Sequence, residues 1–267
     1  MESDLAKSSQ NLDILGRIYN CIDNTTLSGA DSKVQIDLLC SNCLSMCSKL
    51  GGRQQVAAVC VYPVFVRRAK LLLADSAIRV ASVAGAFPSG QSPLSIKLQE
   101  VKYAVDEGAD EIDMVISRGA LLEGDVQRVF DEIASIREVT GRNTLKVILE
   151  TGELQTSENI RKASEIAIAA GADFIKTSTG KIAVGATIDA AKIMLQVIGE
   201  HFQNTGKMVG FKAAGGISTA KDALVYYSIG STVLGRQWMD KKFFRFGVSR
   251  LGNSLMSAIE QNTVSYF

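Results

Sequence analysis

The sequence predicts an α/β fold, a TIM (β/α)8 barrel with an extra N-terminal helix and a C-terminal helix plus short tail. Three observations carry this. Short runs rich in Val and Ile recur along the chain, bounded by Gly, Asp or Pro, as strands buried on both faces are. Helical periods of three and four lie between them. The 267 residues are enough for eight strand–helix units, which take about 250.

In chain order, a helix is expected over 2–18. YNCIDNTT (19–26) is a strand candidate ahead of a helix over 32–49. The clearer strands are VAAVCVY (56–62), IRVASVAG (78–85), EIDMVIS (111–117), LKVILE (145–150), DFIKTS (173–178), MVGFKAAGG (208–216) and STVLG (231–235). In 94–107, Leu94, Leu98, Val101 and Val105 form a stripe and Gly108 stops the helix. In 125–138, Asp125 is placed to cap a stripe of Val126, Val129, Phe130, Ile133 and Ile136. In 157–170, Ile160, Ala163, Ala167 and Ala170 face inward ahead of Gly171. In 187–200, Thr187 caps and Met194, Val197 and Ile198 pack. A doubly wound open sheet would carry fewer strands in this length, and no GxGxxG follows an early strand. No linker-like stretch divides the chain, so 1–267 reads as one domain, with 1–18 a helical extension and 257–267 a tail.

Composition narrows the chemistry. Lys plus Arg is 29 and Asp plus Glu 28, a net charge of +1. That balance argues against a nucleic-acid surface or a basic membrane-binding face. The N-terminus lacks a signal peptide's basic segment and apolar run. No stretch approaches ~18 apolar residues. A cytoplasmic protein is expected. The single histidine, His201, limits Ser-His-Asp or Cys-His pairings to one residue and excludes a three-His zinc site. It is expected on the surface at a helix end. Five cysteines, an odd number, fit a reducing compartment. Cys40, Cys43 and Cys47 have helical spacing and read as buried thiols; a metal would need a fourth ligand, and no histidine is near. Trp238, taken to follow the last strand, reads as packing.

Barrel strands have little room for charge, yet Asp113, Lys176 and Lys212 sit inside three of them. Each lysine is followed by small residues, which puts it near the C-terminal end of its strand, where barrel sites lie. Two ammonium groups in one pocket repel, and such an arrangement suits a site that needs one amine neutral. A free lysine is only about 0.04% neutral at pH 7. A like charge ~6 Å away at an effective dielectric of ~20 contributes nearly 3 kcal/mol, roughly a hundredfold in that fraction. Burial is expected to add a smaller effect. The constellation suits a lysine that condenses with a carbonyl. Gly-rich TSTGK (177–181) and AAGGIS (213–218) follow the two lysines, and backbone N–H groups at such turns cradle phosphate.

DFIKTSTGK, GFKAAGGIS, LKVILETGEL (145–154), ADEIDMV (109–115) and VCVYP (59–63) together resemble the 2-deoxyribose-5-phosphate aldolases, a class I, Schiff-base family, from about residue 19 to 256. The resemblance implies a TIM barrel that cleaves 2-deoxy-D-ribose 5-phosphate to D-glyceraldehyde 3-phosphate and acetaldehyde, with no metal and no organic cofactor. It implies Lys176 as the imine-forming lysine, Lys212 as the second lysine that depresses its pKa, and Asp113 as the carboxylate that moves protons through a water. Asp23, Thr25 and Cys60 match pocket residues, and Thr179, Gly180, Lys181, Gly215, Gly216 and Ser249 match the phosphate loops. The partner implied is a small phosphorylated sugar, and a homo-oligomer, dimer or tetramer, is in keeping with it.

There are departures. Bacterial members commonly carry an arginine two residues after the GG pair; here Ser218 stands there, while Arg250 follows Ser249 in FGVSR. Arg250 either compensates or points to solvent. Members often end in a tyrosine on a mobile tail that assists proton transfer; here Tyr266 is penultimate, before Phe267. Two other readings stay open: a Schiff-base aldolase for a different aldehyde or keto acid, and a barrel without turnover that serves in binding.

Overall fold

Alternation of strand and helix closes on itself. In the computed structural model, which describes residues 12–49 and 54–260, eight parallel strands run in sequence order around a closed barrel. A helix over 12–20 (α1) precedes β1 (Ile22–Thr25) and α2 (Lys33–Lys49). Then come β2 (Ala58–Val61), α3 (Val66–Leu72), β3 (Arg79–Ala84), α4 (Leu94–Asp106) and β4 (Glu111–Val115). A short α5 (Arg118–Leu122) and α6 (Val126–Thr140) lead to β5 (Thr144–Ile148), α7 (Ser157–Ala169) and β6 (Phe174–Lys176). The barrel ends with α8 (Ile188–Thr205), β7 (Gly210–Ala214), α9 (Ala220–Leu234), β8 (Phe244–Val248) and α10 (Leu251–Glu260). Among the described residues no helix is long and apolar enough to cross a membrane.

Local chemistry sets the helix ends as the sequence predicts. Asp125 accepts from the Arg128 N–H and Thr187 from Ala190; the structure adds Thr156, which accepts from Asn159 ahead of α7. Gly108 and Gly171 stand past α4 and α7 at φ 97° each. The inward stripes are seated as expected on α6, α7 and α8. On α4 the buried positions are Lys97, Val101 and Ala104, with Lys97 paired to Glu132 and Ser117.

One strand is misplaced by sequence reasoning. STVLG (231–235) is the end of α9, and the last strand is Phe244–Val248. Thr and Val are enriched in strands, but that preference yields to context. A capping box of Thr219 and Asp222 and a buried stripe of Ala223, Tyr226, Tyr227, Gly230 and Leu234 carry the helix through them. The true strand, FRFGV, is disguised by a charge and a glycine. Trp238 therefore precedes the last strand. It is buried, its indole N–H donates to the Val209 carbonyl at 3.0 Å, and it meets Phe202 edge to face. His201 is half-buried in the last turns of α8. Cys40 and Cys43 are buried and Cys47 half-buried, all as free thiols.

The main apolar core lies between the strands and the helices. A small second cluster fills part of the barrel: Leu27, Ala58, Cys60, Ala81 and Val83, with Tyr62 and Phe87 against it. The strands on the other side turn charge inward: Glu111, Asp113, Lys146, Lys176, Lys212 and Arg245, joined by Asp23 of β1, are all buried. Gly247 makes room for them. A Cβ there would stand 2.9 Å from Lys212 Cε and 3.0 Å from Ala214 Cβ. Gly247→Ala is expected to lower stability by about 1–3 kcal/mol, read as a fall in the urea midpoint at unchanged m value. An unmoved midpoint would mean that Lys212 yields freely.

Candidate active site

Strand register brings the charged residues together. Lys176 lies opposite Lys212, Lys212 opposite Arg245, and Asp113 opposite Lys146. Three basic side chains thus stand side by side across β6, β7 and β8. The acids that answer them come from β1 and β4. Asp113 Oδ2 accepts from Lys176 Nζ and from Lys212 Nζ, each at 2.7 Å, and its Oδ1 accepts from Lys146 Nζ at 2.6 Å. Lys146 also meets Glu111 Oε2 at 2.6 Å. Lys212 bonds Asp23 Oδ2 at 2.5 Å. Arg245 pairs with Asp23 and with Glu111, the latter at 2.9 and 3.2 Å, and lies 5.6 Å over the Phe174 ring.

This network sorts the protonation states. Burial alone would raise the Asp113 carboxyl, but Lys146, Lys176 and Lys212 hold it well below the carboxylate range. Asp23 and Glu111 are lowered too, against the same burial penalty, by Arg245 with Lys212 and by Lys146 with Arg245 respectively. Burial opposes charge on Lys212, but Asp113 and Asp23 outweigh it and raise its pKa. Lys146 is raised likewise by Asp113 and Glu111. Lys176 goes the other way. Its pKa is lowered, first by burial and then by Lys212, with Asp113 opposing. The expected order is therefore reversed: loss of water leads and the like charge follows. Near-complete burial of Lys176 is the physical reason, while the carboxylate shared between the two amines offsets the like charge.

Of this charged set, only Lys176 lines the cleft at the barrel mouth. The cleft opens at the C-terminal ends of the strands, has a volume of about 610 Å³, and is lined by Thr25, Lys176, Thr179, Gly180, Lys181, Gly215, Gly216, Ser218, Ser249 and Arg250 among others. Asp23, Cys60, Asp113 and Lys212 do not line it; they stand one layer deeper. Cys60 belongs to the apolar half of the interior, and burial pushes its thiol up. Tyr266 lies outside the described residues. Glycines let the late loops meet backbone to backbone: Gly215 is at φ 86°, and a Cβ on Gly185 would lie 2.5 Å from the Gly215 carbonyl oxygen. Arg250 and Ser218 are both exposed at the cleft's edge. Lys181 Nζ reaches across to the Leu27 carbonyl, joining the loop after β6 to the loop after β1.

Sequence reasoning missed Lys146, Glu111 and Arg245. Lys146 and Glu111 stand in the motifs LKVILE and ADEIDMV. The signal that finds them is the one used for Asp113, a charge in an apolar strand, with period two adding Glu111 on the same face. Arg245 went unread with its strand.

The chain matches the family model for DeoC/LacD family aldolases over residues 19–240. It is 46% identical over 245 residues to a Bos taurus protein named deoxyribose-phosphate aldolase, covering 88% of this chain and 77% of that one. A Homo sapiens protein of the same name is 45% identical over 250 residues, covering 90% and 77%. A solved structure described as a tetrameric deoxyribose phosphate aldolase from Aeropyrum pernix superposes with a TM-score of 0.71 at 25% identity, covering 94% and 95%. A closed barrel with a buried lysine at its mouth suits a carbon–carbon lyase, and these matches show that the chain belongs to the DeoC/LacD family of aldolases. Within that family, the relatives just described are deoxyribose-phosphate aldolases.

The lowered carboxyls predict acid sensitivity. A carboxyl with a depressed folded pKa contributes stability that is complete above its unfolded value, about pH 4, and is lost as pH falls through the depressed value. Urea midpoints are expected to hold from pH 7 to about 5 and fall below pH 4. Lys146→Met removes the leading cation beside Asp113, so the protein should lose about 3–5 kcal/mol at pH 7 and show a flatter fall in acid. An unchanged acid slope would contradict the assignment of Lys146.

Proposed function

We propose that this aldolase cleaves 2-deoxy-D-ribose 5-phosphate to D-glyceraldehyde 3-phosphate and acetaldehyde through an imine on Lys176. One observation carries the reading. Of the buried amines, Lys176 alone faces the cleft and has its pKa moved toward neutrality. Lys146 and Lys212 are favoured as cations by the carboxylates beside them and do not line the cleft.

The chemistry follows from these positions. The neutral Lys176 amine attacks the aldehyde carbon, C1, of the open-chain sugar; loss of water leaves a protonated imine. Acetaldehyde carries two carbons, so the bond that breaks is C2–C3. Its electron pair flows into the imine to give an enamine, while the C3 hydroxyl proton passes to a base as glyceraldehyde 3-phosphate forms. Asp113, bonded to Lys176 Nζ at 2.7 Å, is the nearest carboxylate and acts through a bound water. The enamine then takes a proton at C2, and hydrolysis frees acetaldehyde and the lysine. Thr179, Gly180, Lys181, Gly215, Gly216 and Ser249, on the late loops, hold the phosphate, with Arg250 at the edge in place of the cation that Ser218 lacks. Asp23 acts through Lys212, which it bonds, and Thr25 lines the cleft. The group chemistry needs no metal or organic cofactor. A cytoplasmic location fits five free thiols. The Aeropyrum pernix relative, described as tetrameric, supports a homo-oligomer.

Borohydride reduction in the presence of acetaldehyde, followed by peptide mapping, tests the imine. The adduct is expected on Lys176 and absent in Lys176→Arg, because guanidinium stays protonated; retained turnover in that variant would sink the mechanism. Activity on deoxyribose 5-phosphate separates this reading from an aldolase for another carbonyl compound.

Removing Lys212 leaves Asp113 and Asp23 less compensated, so Lys212→Leu should raise the Lys176 pKa. The rising limb of the pH–rate profile then moves to higher pH, and activity near neutrality falls strongly with partial alkaline recovery. A profile lowered at every pH without a change of shape would contradict the electrostatic role.

A further inference from the structure

Glu150 is a buried charge that the reaction does not use. It follows β5 in the left-handed region at φ 57°, ψ 57°, a conformation a non-glycine residue holds only when its surroundings enforce it. Here they do. Leu149 N–H donates to the Lys176 carbonyl and Thr151 N–H to the Thr177 carbonyl, each at 2.9 Å, so the turn is stitched to β6 and its loop on both sides. The Glu150 carboxylate is fully buried. It accepts from the Thr179 N–H at 3.1 Å, from the Thr179 hydroxyl, and from Arg118 Nη1 at 3.2 Å. The Thr179 hydroxyl oxygen accepts in turn from the Lys181 N–H at 3.0 Å.

The turn Thr179–Gly180–Lys181 lines the cleft, and Glu150 holds it from behind. A carboxylate suits this position because it is acceptor-only, with two oxygens, and can take an N–H and an O–H at once. Its drawback is a negative charge placed behind a loop that is to receive an anion. Arg118 answers that charge. Its guanidinium is largely buried, and it is fixed from other directions by Glu153 at 2.9 Å and by the Pro88 and Ser89 carbonyls at 3.2 Å each.

We propose that Glu150 is a positioning residue that sets the Thr179–Lys181 turn in its phosphate-accepting shape, and that Arg118 masks its charge, so that the pair governs the affinity of the cleft for a phosphate monoester. The inference rests on the reading of this cleft as a sugar-phosphate site. It requires an asymmetry that a merely structural ion pair would not show: losing Arg118 harms phosphate binding through the exposed Glu150 charge, and neutralising Glu150 as well relieves part of that harm.

The test uses Glu150→Gln, Arg118→Gln, Arg118→Lys and the double variant Glu150→Gln/Arg118→Gln of the full chain. Inorganic phosphate binding is followed by 31P NMR. Steady-state constants are measured on deoxyribose 5-phosphate and on unphosphorylated deoxyribose, and acetaldehyde is trapped on Lys176. Glu150→Gln should weaken phosphate and raise KM for the phosphorylated sugar about tenfold, the loss expected of one charge-assisted hydrogen bond, with kcat/KM for deoxyribose within about twofold and trapping intact. Arg118→Gln should weaken phosphate at least as much, Arg118→Lys much less, and the double variant should bind phosphate more tightly than Arg118→Gln alone. Equal losses on both sugars, loss of trapping in Glu150→Gln, or a double variant no better than Arg118→Gln would overturn the proposal. A wild-type protein that traps acetaldehyde and binds phosphate but leaves deoxyribose 5-phosphate uncut would instead overturn the substrate assignment, and the phosphate measurements would still decide the role of the pair.

Discussion

Everything in the barrel turns on one carboxylate. Asp113 holds Lys146, Lys176 and Lys212 together in a space without water. Burying an ion costs several kcal/mol unless its partners are well placed, so the four side chains must be built as a unit. The network around Asp113 joins three acids, Asp23, Glu111 and Asp113, to four bases, Lys146, Lys176, Lys212 and Arg245. Fully charged, the set would carry an excess of one positive charge. A neutral Lys176 brings it to balance, and Lys176 is the base at the mouth, with the fewest acids beside it. The reactive amine is thus the group that the network leaves over.

The two halves of the interior divide the labour. Small apolar side chains of β2 and β3, with Leu27, give a dry wall, and a dry wall strengthens every charge interaction opposite it. Charge stands on β4 to β8 and on β1. Phosphate chemistry is kept apart, on the late loops, where glycines at positive φ turn backbone rather than side chains toward the cleft.

Much of this is legible in the sequence. Lys176, Lys212 and Asp113 announce themselves as charges inside Val- and Ile-rich runs, and the glycines behind the lysines mark strand ends. The barrel follows from counting such runs, although the count is reached with one wrong member. STVLG looks like a strand by composition, yet the capping box at Thr219 commits that stretch to a helix; FRFGV is a strand whose inward residues are the arginine and the glycine that composition reads as foreign. Partnership is the part least visible. Which lysine stays charged depends on how many carboxylates surround it, and those come from strands far apart in the chain. The balance between burial and like charge at Lys176 is misjudged from sequence for the same reason, since nothing in the sequence shows that Asp113 stands between the amines.

That separation along the chain has a bearing on how the molecule is made. Asp23 on the first strand is neutralised by Lys212 and Arg245, 189 and 222 residues later. A chain emerging from the ribosome exposes this acid, and then Glu111 and Asp113, long before their last partners are synthesised. Closing the barrel early would seal unpaired charge into a dry interior, so the partly made chain has a reason to stay open. The final strand completes the pairing: β8 closes the barrel between β1 and β7, and its Arg245 is the last partner that Asp23 and Glu111 receive.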